Sequence, residues 1–405
     1  FLRRRENTLI YLDNSATTKV LPEIMDTFVA VNETYWANPS SIHEFGHKTN
    51  QLLQSAREQI AEILHTASAK IYFTSGGTES NNLAIFGLAN KYKFRGKHVL
   101  ISQIEHPSII EAAKQLVVMG FEVEWIPVDA SGIIDLNEFS KLIRAETMLV
   151  SIMHVNNETG AVQPLKALST IVRRESKAVI HVDAVQSFGK LSIDFKRYDI
   201  DAITISSHKI HGIKGSGLLA LSKTREIEPI LFGGGQESGI RSGTTPVPLA
   251  VSTAKAMRIA STGLEKNSTH MKNLTDELVQ FLHGFERIKM ISPENRAPHI
   301  VTFSVRKIKG EVIINALQKR DVIVSTSSAC SSRQTKTSHV LKAMHISDDY
   351  IKGVIRLSIS PLTTEEEIEP FKKIFTEAIA VGLFLAPHTL GYLIGFLVGT
   401  ALIAV

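Results

Sequence analysis

Between residues 97 and 207 short runs of alternating or continuous apolar residues, rich in Val and Ile, are separated by longer stretches of helical periodicity. "KHVLIS" (97–102), "EVEWIPV" (122–128), "MLVSIMHV" (148–155), "AVIHVDAV" (178–185) and "AITISS" (202–207) read as strands. "SIIEAAKQLVVMG" (108–120) and "PLKALSTIVRRES" (164–176) place apolar residues three and four apart and read as helices between them. Strand, helix, strand in this rhythm predicts an α/β fold with a mostly parallel sheet. Ligands of such sheets gather beyond the carboxyl ends of the strands. His106, Asn157, Asp183, Gln186, Ser206, His208 and Lys209 all fall there.

The rhythm breaks at a glycine-rich passage, "FGGGQESGIRSGTTPVP" (232–248). A long helical region follows from about Pro248, and then a smaller α+β segment from about Lys289 to Ala380. The expected organisation is an N-terminal arm (1–14) packing on a small domain, a large domain (15–262), the small domain (263–380) and an apolar tail (381–405). That tail, "VGLFLAPHTLGYLIGFLVGTALIAV", contains no Asp, Glu, Lys or Arg. Its length suits a membrane segment, and Gly391, Gly395 and Gly399 would form a small-residue face. Lys372 and Lys373 ahead of it would keep the rest of the chain cytoplasmic. Pro387 and His388 interrupt the run, so a non-native or truncated end is the competing expectation.

Composition narrows the classes. With 43% hydrophobic and 21% charged residues the chain is an ordinary globular protein, neither fibrous nor disordered. A formal charge of +5 without a dense Lys/Arg stripe gives no reason to expect direct nucleic-acid binding. The N-terminal "FLRRRENTL" is basic but has no apolar run after it, which argues against a secretory signal, and a start at Phe1 reads as a processed or incomplete end. One cysteine, Cys330, excludes an intramolecular disulfide and fits a reducing compartment. Cys330 sits in "STSSACSSRQTKTS" (325–338), among small polar and basic residues instead of an apolar run, which points to an exposed loop.

The chemistry is carried by three stretches read together. In "ISSHKIHGIKGSG" (205–217) Lys209 follows a strand directly; alone it would be a solvated loop lysine. In "HVDAVQ" (181–186) an acid ends the neighbouring strand three residues before a glutamine. A carboxylate can hold a heteroaromatic ring nitrogen protonated while an amide reaches a ring oxygen, and a covalent lysine with such an Asp marks pyridoxal phosphate sites. "FTSGGTESNNLAIFGLA" (73–89) adds strand, glycines and a helix start, where backbone N–H groups and the Thr78 hydroxyl would bind a dianion. "HKIH" (208–211) and "HVD" (181–183) could be taken for metal ligands, but a closed site needs four, often thiolates, and no metal is expected.

With "YLDNSATT", "NPSSIHEFG", "TSGGTESNN", "EHPS", "HVNNETG", "HVDAVQSFGK", "SSHKIHGIKG", "GGGQESGIRSGT", "SSACSSR" and "IRLSIS" in family order from residue 11 to 360, the chain resembles the pyridoxal-phosphate-dependent cysteine desulfurases of the NifS-like group, in the class V aminotransferase superfamily. The resemblance implies a fold type I enzyme whose large domain is built on a sheet of the seven-stranded type. It implies that Lys209 bonds covalently to pyridoxal 5′-phosphate, that Asp183 pairs with the ring nitrogen and Gln186 with the phenolic oxygen, and that His106 stacks on the ring and moves protons. Gly77, Thr78, Ser206 and His208 would hold the phosphate, with Thr244 reaching the phosphate of a partner subunit in a homodimer. Asn157 and Arg356 would hold the substrate carboxylate, Arg through its planar fork.

The implied reaction takes sulfur from L-cysteine, releases L-alanine and leaves a persulfide on Cys330. The thiolate is the nucleophile, and Arg333 and Lys336 would favour it slightly. The sulfur would pass to an acceptor protein, an iron–sulfur scaffold or a tRNA-thiolation or thiamine-pathway protein. A selenocysteine lyase or another class V aminotransferase-type enzyme is the alternative, from which the desulfurase differs by needing its own thiol.

Overall fold

The computed structural model describes residues 9–326 and 338–384, with side chains to residue 380. The expectations for the Cys330 loop and for the apolar tail beyond residue 384 therefore concern residues outside those described. Among the described residues no helix is long and apolar enough to cross a membrane.

Twelve strands are present among the described residues: β1 (Ile10–Tyr11), β2 (Ile71–Thr74), β3 (His98–Ser102), β4 (Glu122–Ile126), β5 (Thr147–Met153), β6 (Val179–Asp183), β7 (Ala202–Ser206), β8 (Gly217–Leu221), β9 (Ile288–Met290), β10 (Ile300–Val305), β11 (Val322–Ile323) and β12 (Val354–Ser358). The chain divides into two compact units, one of Ser15–Asn157 with Ala161–Ser268, the other combining the segment up to Asn14, Glu158–Gly160 and the segment from Thr269.

The larger unit is built on a seven-stranded sheet in the order β2-β8-β7-β6-β5-β3-β4. Its strands run parallel except β8, which pairs antiparallel with both β2 and β7. All five strands expected from the sequence are in it. Central strands such as β5, "TMLVSIM", are buried on both faces, so they read as continuous apolar runs without alternation. The helices Gly77–Tyr92 and Pro107–Val118 cover one face, and their Leu83, Leu88, Ile109 and Leu116 join Val99, Ile101 and Leu149 in one core. The second of these helices starts where the sequence dictates: His106 caps it by accepting from the Ser108 N–H, and Pro107 occupies the first turn, where no N–H is needed.

The smaller unit holds the antiparallel sheet β12-β10-β9 and the two-stranded parallel pair β1-β11. Its core gathers Phe303, Phe371 and Phe375 with Leu278, Leu282 and Ile355. Ile10 and Leu12 of the N-terminal segment belong to the same core.

Candidate active site

The carboxyl ends of β6 and β7 place Asp183 and Ser206, and the turn after β7 (Ser207–Lys209) places His208 and Lys209. Asp183 is 5% exposed. One carboxylate oxygen accepts the Val185 N–H at 2.9 Å, and the other accepts from the Asn81 amide at 2.8 Å. Asn81 also donates to the Ser108 hydroxyl at 2.9 Å. His106 Nδ1 accepts the Ser108 N–H at 3.2 Å, so the Ser108 hydroxyl, 2.8 Å from the same nitrogen, donates to it as well. Nδ1 is thus an acceptor, and the His106 proton sits on Nε2. A buried network of this kind fixes the orientation of every member.

Beside it lies Glu105, which is fully buried. Burial pushes its carboxyl well above the ordinary range, and the Asp183 charge adds to the rise against the opposing Met153 N–H and Ser102 hydrogen bonds. Nothing in "IEHPS" betrays this, because burial decides it.

Lys209 and Gln186 meet on one atom. The Lys209 amine donates to the Ser15 carbonyl and, at 2.8 Å, to the Ala16 carbonyl. The Gln186 amide donates to the same Ser15 carbonyl at 3.0 Å. Ser15 and Ala16 belong to the "DNSATT" stretch, whose main chain is here the partner of both groups.

A cavity of about 360 Å³ opens next to them, lined among others by Gly76, Gly77, Thr78, Ser206, His208 and Lys214. Gly77 begins the helix Gly77–Tyr92, so the unspent N–H groups of its first turn border the cavity. Gly76 has φ +148°, and a Cβ on Gly77 would stand 3.0 Å from Val185 Cγ2. Gly217, paired across from both Thr74 and Ser206, lets the main chain of Gly76 approach to where a Cβ would be, 2.7 Å away. The Ser206 hydroxyl is buried and has no hydrogen-bond partner among the described residues. A buried polar atom left so costs on the order of 1–3 kcal/mol, which a ligand oxygen would recover. His208 bonds the Thr17 hydroxyl at 3.1 Å, and burial, helped by the charges of Lys209, Lys214 and Lys190, lowers it to about 4. It is therefore neutral near pH 7. Spare amides, hydroxyls and Lys214 around a glycine-floored cavity fit a phosphate group.

The fold of this unit and its polar strand ends match a known group of proteins. An aminotransferase class-V family model matches residues 10–371. The mitochondrial cysteine desulfurase of Saccharomyces cerevisiae is 38% identical over 382 residues, covering 93% of this chain and 76% of the yeast protein. Cysteine desulfurase IscS of Salmonella paratyphi B is 40% identical over 366 residues, 89% of this chain and 90% of that one. The chain belongs to the cysteine desulfurase group of the class V aminotransferase family. A solved NifS-like protein superposes with a TM-score of 0.87 at 35% identity, covering 92% of this chain and all of that one. DndA from Streptomyces lividans does so with a TM-score of 0.73 at 33% identity, covering 86% and 99%. The family is generally dependent on pyridoxal phosphate, and its NifS-like members have the fold type I architecture seen here.

The family residues that sequence reasoning picked out fall in both units. Asn157 lies in the larger unit just beyond β5, half-buried. Thr244 is exposed on the glycine-rich passage and does not line the cavity. Arg356 lies on β12 of the smaller unit, 3% exposed, where its guanidinium donates to Asp13 and to the Ser325 hydroxyl, each at 2.9 Å. Histidines 181 and 208, readable as metal ligands, have other partners: His181 is buried between the Ser151 and Thr204 hydroxyls and lowered by burial to about 3.

Two features of the site escaped the sequence. Lys214 and Ser75 line the cavity. The glycine-rich passage is pinned by two ion pairs, the buried Arg57 with Glu237 through two 2.9 Å contacts and the half-buried Arg241 with Glu79 at 2.7 Å. Glu237 also accepts the Phe73 N–H of β2. The paired-charge pattern spans 180 residues, so no local signal could reveal it.

Proposed function

We propose that the protein is a pyridoxal-phosphate-dependent cysteine desulfurase that moves sulfur from L-cysteine to Cys330 and releases L-alanine. The observation that carries the reading is the meeting of the Lys209 amine and the Gln186 amide on the Ser15 carbonyl. A lysine bonded to the cofactor's aldehyde carbon and an amide touching the neighbouring phenolic oxygen must lie this close. The fixed carboxylate of Asp183 and the cavity with its unpartnered Ser206 hydroxyl supply the other two requirements.

Each residue then has a task. Thr78, Ser206, His208 and the amides beginning at Gly77 would hold the phosphate. Asp183, its carboxylate fixed by the Asn81 amide and the Val185 N–H, would hold a proton on the cofactor's ring nitrogen. His106 would stack on the cofactor ring and move protons there. The bound cofactor supplies an electron sink for the pair left when a bond at the substrate Cα is broken. Lys209 takes the Cα proton as a neutral amine. By the family resemblance, Asn157 and Arg356 would each contact the substrate carboxylate. The Cys330 thiolate attacks the substrate sulfur, the S–S bond forms as the C–S bond breaks, and the carbon skeleton leaves as alanine after reprotonation. Thr244 would serve the phosphate of a second copy in a homodimer, and the persulfide would pass to a sulfur-acceptor protein.

The decisive experiment compares two variants supplied with pyridoxal phosphate and L-cysteine. Cys330→Ala keeps the visible cofactor absorbance and loses persulfide formation. Lys209→Ala loses the covalently bound cofactor and at least about a thousandfold in alanine release. Undiminished persulfide transfer in the first or full turnover in the second overturns the reading.

A further inference from the structure

Lys190 is a second amine buried against the cofactor lysine. It closes the "QSFGK" stretch that follows β6 and is 6% exposed. Its ammonium donates to the main-chain carbonyl of Lys209 at 2.5 Å. No carboxylate pairs with it among the described residues. The ionisable groups in its field are Lys209, His208 and His211, all able to carry positive charge. The helix Val247–Thr262, packed behind the neighbouring Gly189, presents the methyl of Ala260 there instead of a counter-ion. An uncompensated buried ammonium is costly, and two ammonium groups in one low-dielectric region cost more.

We propose that Lys190 is a positioning residue coupled to Lys209 by a proton: when Lys209 loses its charge on taking up the cofactor, Lys190 gains one. The inference rests on Lys209 being the cofactor lysine. The coupling is reciprocal, since whatever one charge costs the other is the same cost in return. Condensation of the Lys209 amine with an aldehyde forms one C=N bond and releases one water. The Lys209 ammonium must first give up a proton, which Lys190 or solvent receives. Lys190 is well placed as the receiver: burial first, and the Lys209 charge second, pull it down to about 7. The adjoining histidines do not compete near that pH, because burial lowers both, His208 to about 4. Neutralising Lys209 lifts part of the cost on Lys190, whose ammonium then both stays charged and holds the Lys209 carbonyl. The same coupling favours the uncharged, nucleophilic Lys209 amine, as a neighbouring cation does for other covalent lysines.

The test is a proton count. Pyridoxal phosphate is titrated into apoenzyme at pH 7 in two buffers of different ionisation enthalpy, and calorimetry gives the protons released per cofactor captured. Lys190→Gln keeps a donor to the Lys209 carbonyl without a charge, while Lys190→Arg keeps a charge that never titrates. Both variants are expected to release about half a proton more than the wild type near pH 7, the difference fading by about pH 5.5, where Lys190 is already protonated. Protons exchanged by the cofactor itself are common to all three proteins and cancel. Equal proton counts in wild type and Lys190→Arg overturn the proposal even if Lys190→Gln does not fold. Absence of any visible cofactor band in the wild type would instead overturn the assignment of Lys209.

Discussion

The two ends of the seven-stranded sheet carry polar clusters of similar composition in opposite states. At the amino ends of β3 and β4, His98, Glu122 and Glu124 bring their ligand atoms within 4.8 Å of one another, a spacing that could hold a metal ion. Arg144 already spans both carboxylates, bonding Glu122 at 2.9 Å and also Glu124, and His98 Nδ1 meets the Thr147 hydroxyl, while His98 Nε2 lies 3.9 Å from Glu124 without a hydrogen bond among the described residues. At the carboxyl ends of β6 and β7 the balance differs. The Ser206 hydroxyl has no partner among the described residues, His208 is neutral, and glycines keep the cavity open. Charges that satisfy one another build a surface; donors without acceptors wait for a ligand. Proximity of ligating residue types is therefore a weaker sign of a site than unspent hydrogen-bonding capacity.

This contrast can be broken at either end. The largest effect is expected from Gly217→Ala, whose Cβ would meet the Gly76 Cα and the Ile205 carbonyl oxygen, each at 2.7 Å. Main chain cannot yield as a side chain can, so a loss of about 3 kcal/mol in urea unfolding and a collapse of cofactor capture are expected. Acid should act on the buried neutral histidines. His181 and His208 titrate lower in the folded protein than the 6.5 of an ordinary histidine, so the unfolded chain binds more protons as pH falls. Their stabilising contribution is full above about pH 6.5 and is lost as pH falls toward about 4. The unfolding midpoint measured at pH 5 should thus lie below that at pH 7.5, and His208→Asn should reduce the gap.

Ser206→Ala comes next and separates ligand binding from folding. Removing an unpartnered buried hydroxyl should leave stability unchanged or slightly raised, while cofactor retention on dialysis weakens about tenfold. A matching loss of stability would mean the hydroxyl is part of the scaffold. Arg144→Met at the opposite end should matter least. Its ion pairs are partly exposed, so a change within about 1 kcal/mol and unaltered cofactor capture are expected. A large fall in capture there would erase the distinction between the two ends.

The sequence alone located β3 to β7 to within about two residues, because central parallel strands are short apolar runs and their flanking helices keep a clear period. It also pointed to Lys209, Asp183 and Gln186, since residues at strand ends carry chemistry in this architecture and the motifs lie in family order. The direction of β8 was not legible: "GLLAL" is equally apolar in either sense. Nor were the states of individual side chains. Lys190 and Lys209 are each a lysine near glycines in the chain, yet one is buried with no counter-ion among the described residues while the other rests on the Ser15 and Ala16 carbonyls. Glu105 and Glu237 are both buried acids; burial raises the carboxyl of one well above the ordinary range, and the other is paired with Arg57. Which groups could do the chemistry followed from residue type and order along the chain. Which of them are charged, paired or left with a bond to make was decided by tertiary structure, because burial and partners come from segments far apart in sequence.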